Sequence, residues 1–107
     1  MFEIKSFSET NKEFSEIARI ENLINHNSID HPDDDKNNWN LRDKKIVFDR
    51  LLLYDNNKLA GYISFNQGRE RNKRTCFYTL NIDPKFNHKG YRSFLYNKML
   101  VKVKSFH

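Results

Sequence analysis

The 107-residue chain is long enough for one domain with a modest core, and carries 19 basic against 14 acidic residues. An apolar share of 37%, with nine Phe and five Tyr, excludes a disordered tail despite 31% charged residues. The single cysteine, Cys76, excludes an intrachain disulfide and makes a reducing compartment, the cytoplasm, the expected location.

In chain order, "FEIKSF" (2–7) alternates and predicts a short strand. The opening "MFEIKSFSET" has charges at Glu3 and Lys5 and no long apolar run, so it reads as neither a signal peptide nor a membrane span. "TNKE" at 10–13 is a capping box, Thr10 with Glu13, opening a helix expected to reach Asn25. Phe14, Ile17, Ala18, Glu21 and Ile24 fall on its apolar stripe, widened by Ile20 and Leu23. The turn-rich, acidic "HNSIDHPDDDKNN" (26–38) leads to a short helix from Asp33 that carries Trp39 and Leu41.

"IVFDRLLLY" (46–54) and "LAGYISF" (59–65) flank "DNNK" and predict a hairpin. "NQGRERNKR" (66–74) is a basic loop, and "TCFYTLNI" (75–82) is the third strand of an antiparallel meander. After "IDPKFNHKG" a helical face runs through Tyr91, Phe94, Leu95, Met99 and Val103, giving a helix near 90–103. The fold class is therefore mixed α+β in one domain: strand, helix, short helix, three-stranded meander, helix. A single helix after the meander gives the sheet little cover, so 1–107 reads as an incomplete domain.

Charge is uneven. Residues 1–40 hold four basic and nine acidic side chains, net −5, and residues 41–107 hold fifteen and five, net +10. A basic half suits nucleic acid, acidic lipid or a polyphosphate cofactor, although scattered charges read first as a solvated lysine surface. The loop between Ile82 and the last helix narrows this. Free N–H groups at a helix start favour phosphate, Gly90 permits close backbone approach, and Lys85, Lys89 and Arg92 add positive potential.

The element order and "IDPKFNHKGYRSFLYNKML" (82–100) resemble the GNAT superfamily of acyl-CoA-dependent N-acyltransferases. That family ends a strand with an aliphatic residue, then x-Pro-x-aromatic-Arg/Gln-x-x-Gly-x-Gly/Ala, then a helix. Ile82, Pro84, Phe86 and Gly90 match, whereas Asn87 stands at the Arg/Gln position and Arg92 at the second Gly/Ala. Upstream, the acidic, Trp-containing segment before a hairpin resembles members some of which carry two such domains in tandem, and the resemblance implies the N-terminal part of a longer or tandem-domain member.

The resemblance implies acetyl-CoA as co-substrate. Leu80, Asn81 and Ile82 would hold the pantetheine arm through the backbone. Asn87, His88, Lys89, Gly90, Tyr91 and Arg92 would surround the pyrophosphate. It implies direct attack of a primary amine, on a small molecule or peptide, in a ternary complex, with oxyanion stabilisation from a backbone N–H of the strand ending at Ile82. It also leaves strand 75–82 at an open edge, through which a homodimer would form.

No general acid or base stands out. Tyr78 is the nearest candidate, although a strand tyrosine reads first as core, and Glu70 lies in a loop. Cys76 reads as a buried, inert thiol. His26, Asp30, His31 and Asp33–Asp35 fit no tight ligand spacing, so no metal is expected. Trp39 reads as a core anchor. The alternative functions are a non-catalytic GNAT-like module binding CoA or a partner and, further off, a basic nucleic-acid-binding domain. The latter needs exposed aromatics interleaved with basic residues, and here the aromatics read as core-facing.

Overall fold

A computed structural model of the chain describes residues 2–24, 36–37, 39–40, 48–67, 76–87 and 89–105. Their elements are β1 (Phe2–Ser6), α1 (Asn11–Ile24), β2 (Phe48–Asp55), β3 (Lys58–Gln67), β4 (Cys76–Ile82), a 3-10 turn (Pro84–Phe86) and α2 (Tyr91–Ser105). Asn25, His26, Asp30, His31, Asp33–Asp35, Leu41, Gly68, Glu70 and His88 lie outside the described residues, as does the Cys76 side chain.

The strands form one antiparallel sheet in the order β1-β2-β3-β4. The meander stands where the β-prone runs placed it, and β1 joins its near side, with Ile4 opposite Leu53. Asn56 and Asn57 connect β2 to β3 with φ of 51° and 67°. Two successive left-handed residues make a turn whose twist matches the strands, and asparagine tolerates that region. The register shifts between Leu53 and Tyr54, opposite Gly61 and Leu59. Ala60 is the extra residue of this bulge.

Each face of the sheet carries a helix. On one, Leu51, Leu53, Ile63, Phe65 and Ile82 pack with Tyr91, Leu95 and Met99 of α2. On the other, Leu52, Leu59 and Tyr62 pack with Ile17 and Ile20 of α1. Burying a side chain such as Leu95, fully covered here, stabilises the fold by about 1.5–3 kcal/mol. Gly61 lets β4 lie close: a Cβ there would meet Ile82 Cδ1 at 2.4 Å and the Asn81 carbonyl oxygen at 2.9 Å.

The capping box forms. Thr10 Oγ1 accepts from the Glu13 N–H at 3.2 Å, and Glu13 Oε1 accepts from the Thr10 N–H at 2.9 Å. The Thr10 hydroxyl and the Ser8 N–H also donate to the same carboxylate, which is buried. Trp39 is the anchor the sequence predicts: its ring meets Phe7 edge-on at 5.0 Å and the Arg50 guanidinium lies over it at 4.8 Å.

Three expectations fail, each at the margin of a packed face. Leu23 and Ile24 are 42% and 41% exposed, because the covered face of α1 ends near Ile20 and Leu23 borders a cavity instead. Phe94 is 48% exposed on α2. The aromatics of β4 are not core-facing, since Phe77 and Tyr78 are 58% and 50% exposed on a strand paired on one side only among the described residues. Tyr78 is thus no core tyrosine. β4 carries no basic residue between its aromatics, so the charged stacking surface of a nucleic-acid binder is not present on this strand.

Candidate functional site

Where β4 ends, the chain is held from three directions at Asp83, which is fully buried. Its N–H donates to the Ala60 carbonyl at 2.8 Å. Its carboxylate accepts from Arg19 Nη1 of α1 at 2.8 Å and from the Lys85 N–H at 3.0 Å. The second bond caps the 3-10 turn, whose first residue, Pro84, has no N–H to satisfy. Burial pushes the Asp83 carboxyl up, but the Arg19 guanidinium and the Lys85 N–H outweigh it and hold the group below the usual carboxylate range.

Beyond the turn, Asn87 N–H donates to the Pro84 carbonyl and Lys89 N–H to the Phe86 carbonyl. Gly90 then takes φ of 74°, and α2 begins at Tyr91. The reason for glycine is conformational, since L side chains disfavour that backbone region. A Cβ at Gly90 would meet nothing within 4 Å, so the space beside the helix mouth is open. The N–H groups of Tyr91, Arg92 and Ser93 have no acceptor within their own helix.

The helix start is pinned to β2. Tyr91 Oη donates to Asp55 Oδ2 at 2.5 Å, and Lys89 Nζ donates to the same oxygen at 3.3 Å. The Tyr91 hydrogen bond, helped by Lys89 against the effect of burial, holds the Asp55 carboxyl low. The same bond, together with burial, pushes the Tyr91 phenol up to about 12.

Between β4 and the first turns of α2 runs an open groove of about 370 Å³, lined by Tyr78, Leu80, Arg92, Ser93, Tyr96 and Asn97. The rings of Tyr78 and Tyr96 meet across it with centroids 5.4 Å apart. Of the residues singled out in the sequence, Tyr78, Leu80 and Arg92 line this groove and Gly90 precedes it in the chain. Ile82 is core, and Tyr91 and Lys89 are committed to Asp55. Asn87 is exposed at the end of the 3-10 turn. Of the three cations named for the loop, Arg92 alone lines the groove, for Lys85 borders a separate cavity on the α1 side. Ser93, Tyr96 and Asn97 were missed; with Arg92 they make a stripe at helical spacing beside Tyr91, Leu95 and Met99, and that spacing was the available signal.

Asn81 turns its side chain to the other face. Its Nδ2 donates to Tyr62 Oη at 2.9 Å, and Tyr62 Oη donates to Glu21 Oε1 at 2.5 Å. Burial, then Glu21, pushes the Tyr62 phenol far above its ordinary range. No local motif signals this chain of bonds, because its members stand on α1, β3 and β4.

The model of the acetyltransferase (GNAT) family matches residues 11–106. The chain belongs to that family. Solved structures agree on the fold at low identity. An N-acetyltransferase from Staphylococcus aureus Mu50 superposes with a TM-score of 0.79 at 16% identity, over 98% of this chain and 67% of its own. A putative acetyltransferase from Salmonella typhimurium, solved with its cofactor acetyl-CoA, gives 0.72 at 17% identity, over 97% and 64%. An aminoglycoside acetyltransferase from an uncultured soil metagenomic sample, in complex with sisomicin, gives 0.73 at 14% identity, over 97% and 70%. The GNAT chain described here thus spans about two thirds of the length of these proteins. A comparison with curated proteins finds no match. Among the described residues, no helix is long and apolar enough to cross a membrane, and no three His, Cys, Asp or Glu side chains gather as a metal site.

Proposed function

We propose that this GNAT domain binds acetyl-CoA along the groove between β4 and α2 and passes the acetyl group to a primary amine. The observation that carries the reading is the helix mouth. There Gly90 takes its left-handed turn into open space, beside first-turn N–H groups that lack helical acceptors. Pyrophosphate would lie against the N–H groups of Tyr91, Arg92 and Ser93, with the Arg92 guanidinium at its side. The pantetheine arm would follow the side of β4 left unpaired among the described residues, using backbone groups of Leu80, Asn81 and Ile82. His88 and Asn87 belong to the same loop and complete the proposed contact set.

In the transfer itself, the amine nitrogen attacks the thioester carbonyl, the C–S bond breaks, and thiolate leaves. A backbone N–H of β4 would stabilise the oxyanion. The amine gives up one proton and the thiolate takes one. Tyr78 lines the groove and is our candidate to donate to the thiolate. Cytoplasmic acceptors, small molecules or peptides, fit this reading.

Calorimetric titration tests it. CoA should bind, more tightly than pantetheine, which lacks the pyrophosphate. A thiol-release assay over a panel of primary amines should then show acetyl transfer. CoA binding with no transfer to any amine would mark a non-catalytic CoA-binding module. No CoA binding by the folded chain would end the cofactor assignment.

A further inference from the structure

A second cavity lies on the α1 side, away from the groove. It measures about 490 Å³ and is enclosed by α1, the β2–β3 hairpin and Lys85. That size falls within the roughly 300–1,000 Å³ range of small-molecule sites. Its charges are of two kinds. Arg19 is spent: Nε on Glu16 at 2.8 Å, Nη1 on Asp83 at 2.8 Å and Nη2 on the Leu59 carbonyl at 3.1 Å. Both carboxylates are therefore answered, and Arg19 forms a fixed wall.

The other three cations lack such bonds among the described residues, although Lys58 acts on Asp83 through space. Lys12 from α1, Lys58 from β3 and Lys85 from the 3-10 turn line the same cavity, and no hydrogen bond or ion pair joins their ammonium groups to the described residues. By contrast Lys5, Lys36, Lys89 and Lys102 each have a partner. Beside these three ammonium groups lies apolar surface. Leu59 is buried at the cavity wall, and Leu23, expected in the core, is 42% exposed at it. A ligand with an apolar body and an anionic head would cover the exposed Leu23 side chain and bond to these ammonium groups at once.

We propose that this cavity binds a small organic acid with an apolar body. Its anionic head is held by Lys12, Lys58 and Lys85, and its body lies on Leu23. Amine ligands are repelled here, so the site is distinct in chemistry from that of an amine acceptor. The proposal does not rest on the acetyl-transfer reading.

The test is an NMR titration of the ¹⁵N-labelled chain with sodium octanoate below its micelle concentration, with inorganic phosphate as the charge-only comparison. Octanoate should give saturable amide shifts at Asn57, Lys58, Leu59 and Lys85, and phosphate should bind at least tenfold more weakly. Prior saturation with CoA should leave the octanoate shifts in place. The Lys58→Glu/Lys85→Glu double variant, and separately Leu23→Asp, should each weaken octanoate at least tenfold while keeping a folded spectrum. Leu23→Asp leaves the ammonium groups and the hairpin untouched, so it decides the matter should the double variant unfold. Absent or non-saturable shifts, unchanged affinity in either folded variant, or shifts centred on Leu80 and Ser93 instead would overturn the proposal.

Discussion

Arg19 and Asp83 stand 64 residues apart in sequence and close to 2.8 Å in the fold, tying α1 to the residue that opens the connection from β4 to α2. Asp83 has almost no solvent to fall back on, its side chain being 1% exposed. Arg19→Leu should therefore destabilise the domain by about 3 kcal/mol, the scale for stranding a buried charge. Urea unfolding measures it. Adding Asp83→Asn to Arg19→Leu should recover part of the loss, whereas a purely additive double variant would show that the pair is not coupled.

Acid should unfold the domain through the same carboxylates. Asp83 and Asp55 both have native pKa values below the ordinary carboxylate value of about 3.9. On acidification the unfolded chain takes up protons first, so stability is full above that value and falls as pH drops through the native pKa values. Thermal midpoints measured from pH 7 down to pH 2.5 should hold steady and then decline. Asp55→Asn should flatten the decline, since it removes one of the two groups.

At Gly90 the prediction separates backbone from space. Gly90→Ala meets no neighbour but must hold φ near 74°, so stability should fall by about 1–2 kcal/mol with the fold kept. CoA affinity should fall as well, because the helix mouth shifts to relieve the strain. An alanine variant as stable as the parent would mean the loop does not need this conformation.

Much of this was readable in advance, for physical reasons that can be named. Thr10 and Glu13 announce a helix start because the bonds that make it are three residues apart. Asn56 and Asn57 announce the turn because few other residues tolerate left-handed backbone. Gly90 stood out for its missing Cβ at the helix mouth, whereas the left-handed backbone it adopts was not foreseen. Periodicity also found the faces of α1 and α2, but it reports direction and not how far the cover extends, so Leu23, Ile24 and Phe94 were misplaced. Tyr78 failed likewise: a β-prone string does not say whether a further strand lies beside it. The bonds of Arg19 to Asp83 and of Tyr62 to Glu21 link distant segments, and no local pattern encodes them.

Arg92 replaces the small residue of the family motif, and its side chain is exposed on the groove wall. We expect it to act as a phosphate ligand. Arg92→Gly should weaken CoA by roughly 1–3 kcal/mol, the scale of a charge-assisted hydrogen bond, and should reduce the salt dependence of binding. Calorimetry at two ionic strengths measures both. Tighter CoA binding by the glycine variant would show instead that the guanidinium crowds the site.

The two sheet edges differ in protection. β1 carries Glu3 and Lys5, whereas the seven residues of β4 carry no charge, and Phe77 and Tyr78 stand open on a strand whose outer backbone is unpaired among the described residues. Charged edges resist strand addition and bare ones invite it. Light scattering should show self-association that rises with concentration, and Thr79→Lys should suppress it. A monodisperse monomer at high concentration would rule out pairing through β4.

The buried phenol of Tyr62 imposes a direction on its neighbours. An ionised carboxylate only accepts, so the single Tyr62 proton must go to Glu21. The phenolic oxygen is then left to accept, and Asn81 has to offer it nitrogen. The amide of Asn81 is thereby locked against flipping, with its Oδ1 turned away from Tyr62. A half-covered asparagine on the open strand thus has a fixed acceptor end, set by a glutamate on another element sixty residues earlier in the sequence.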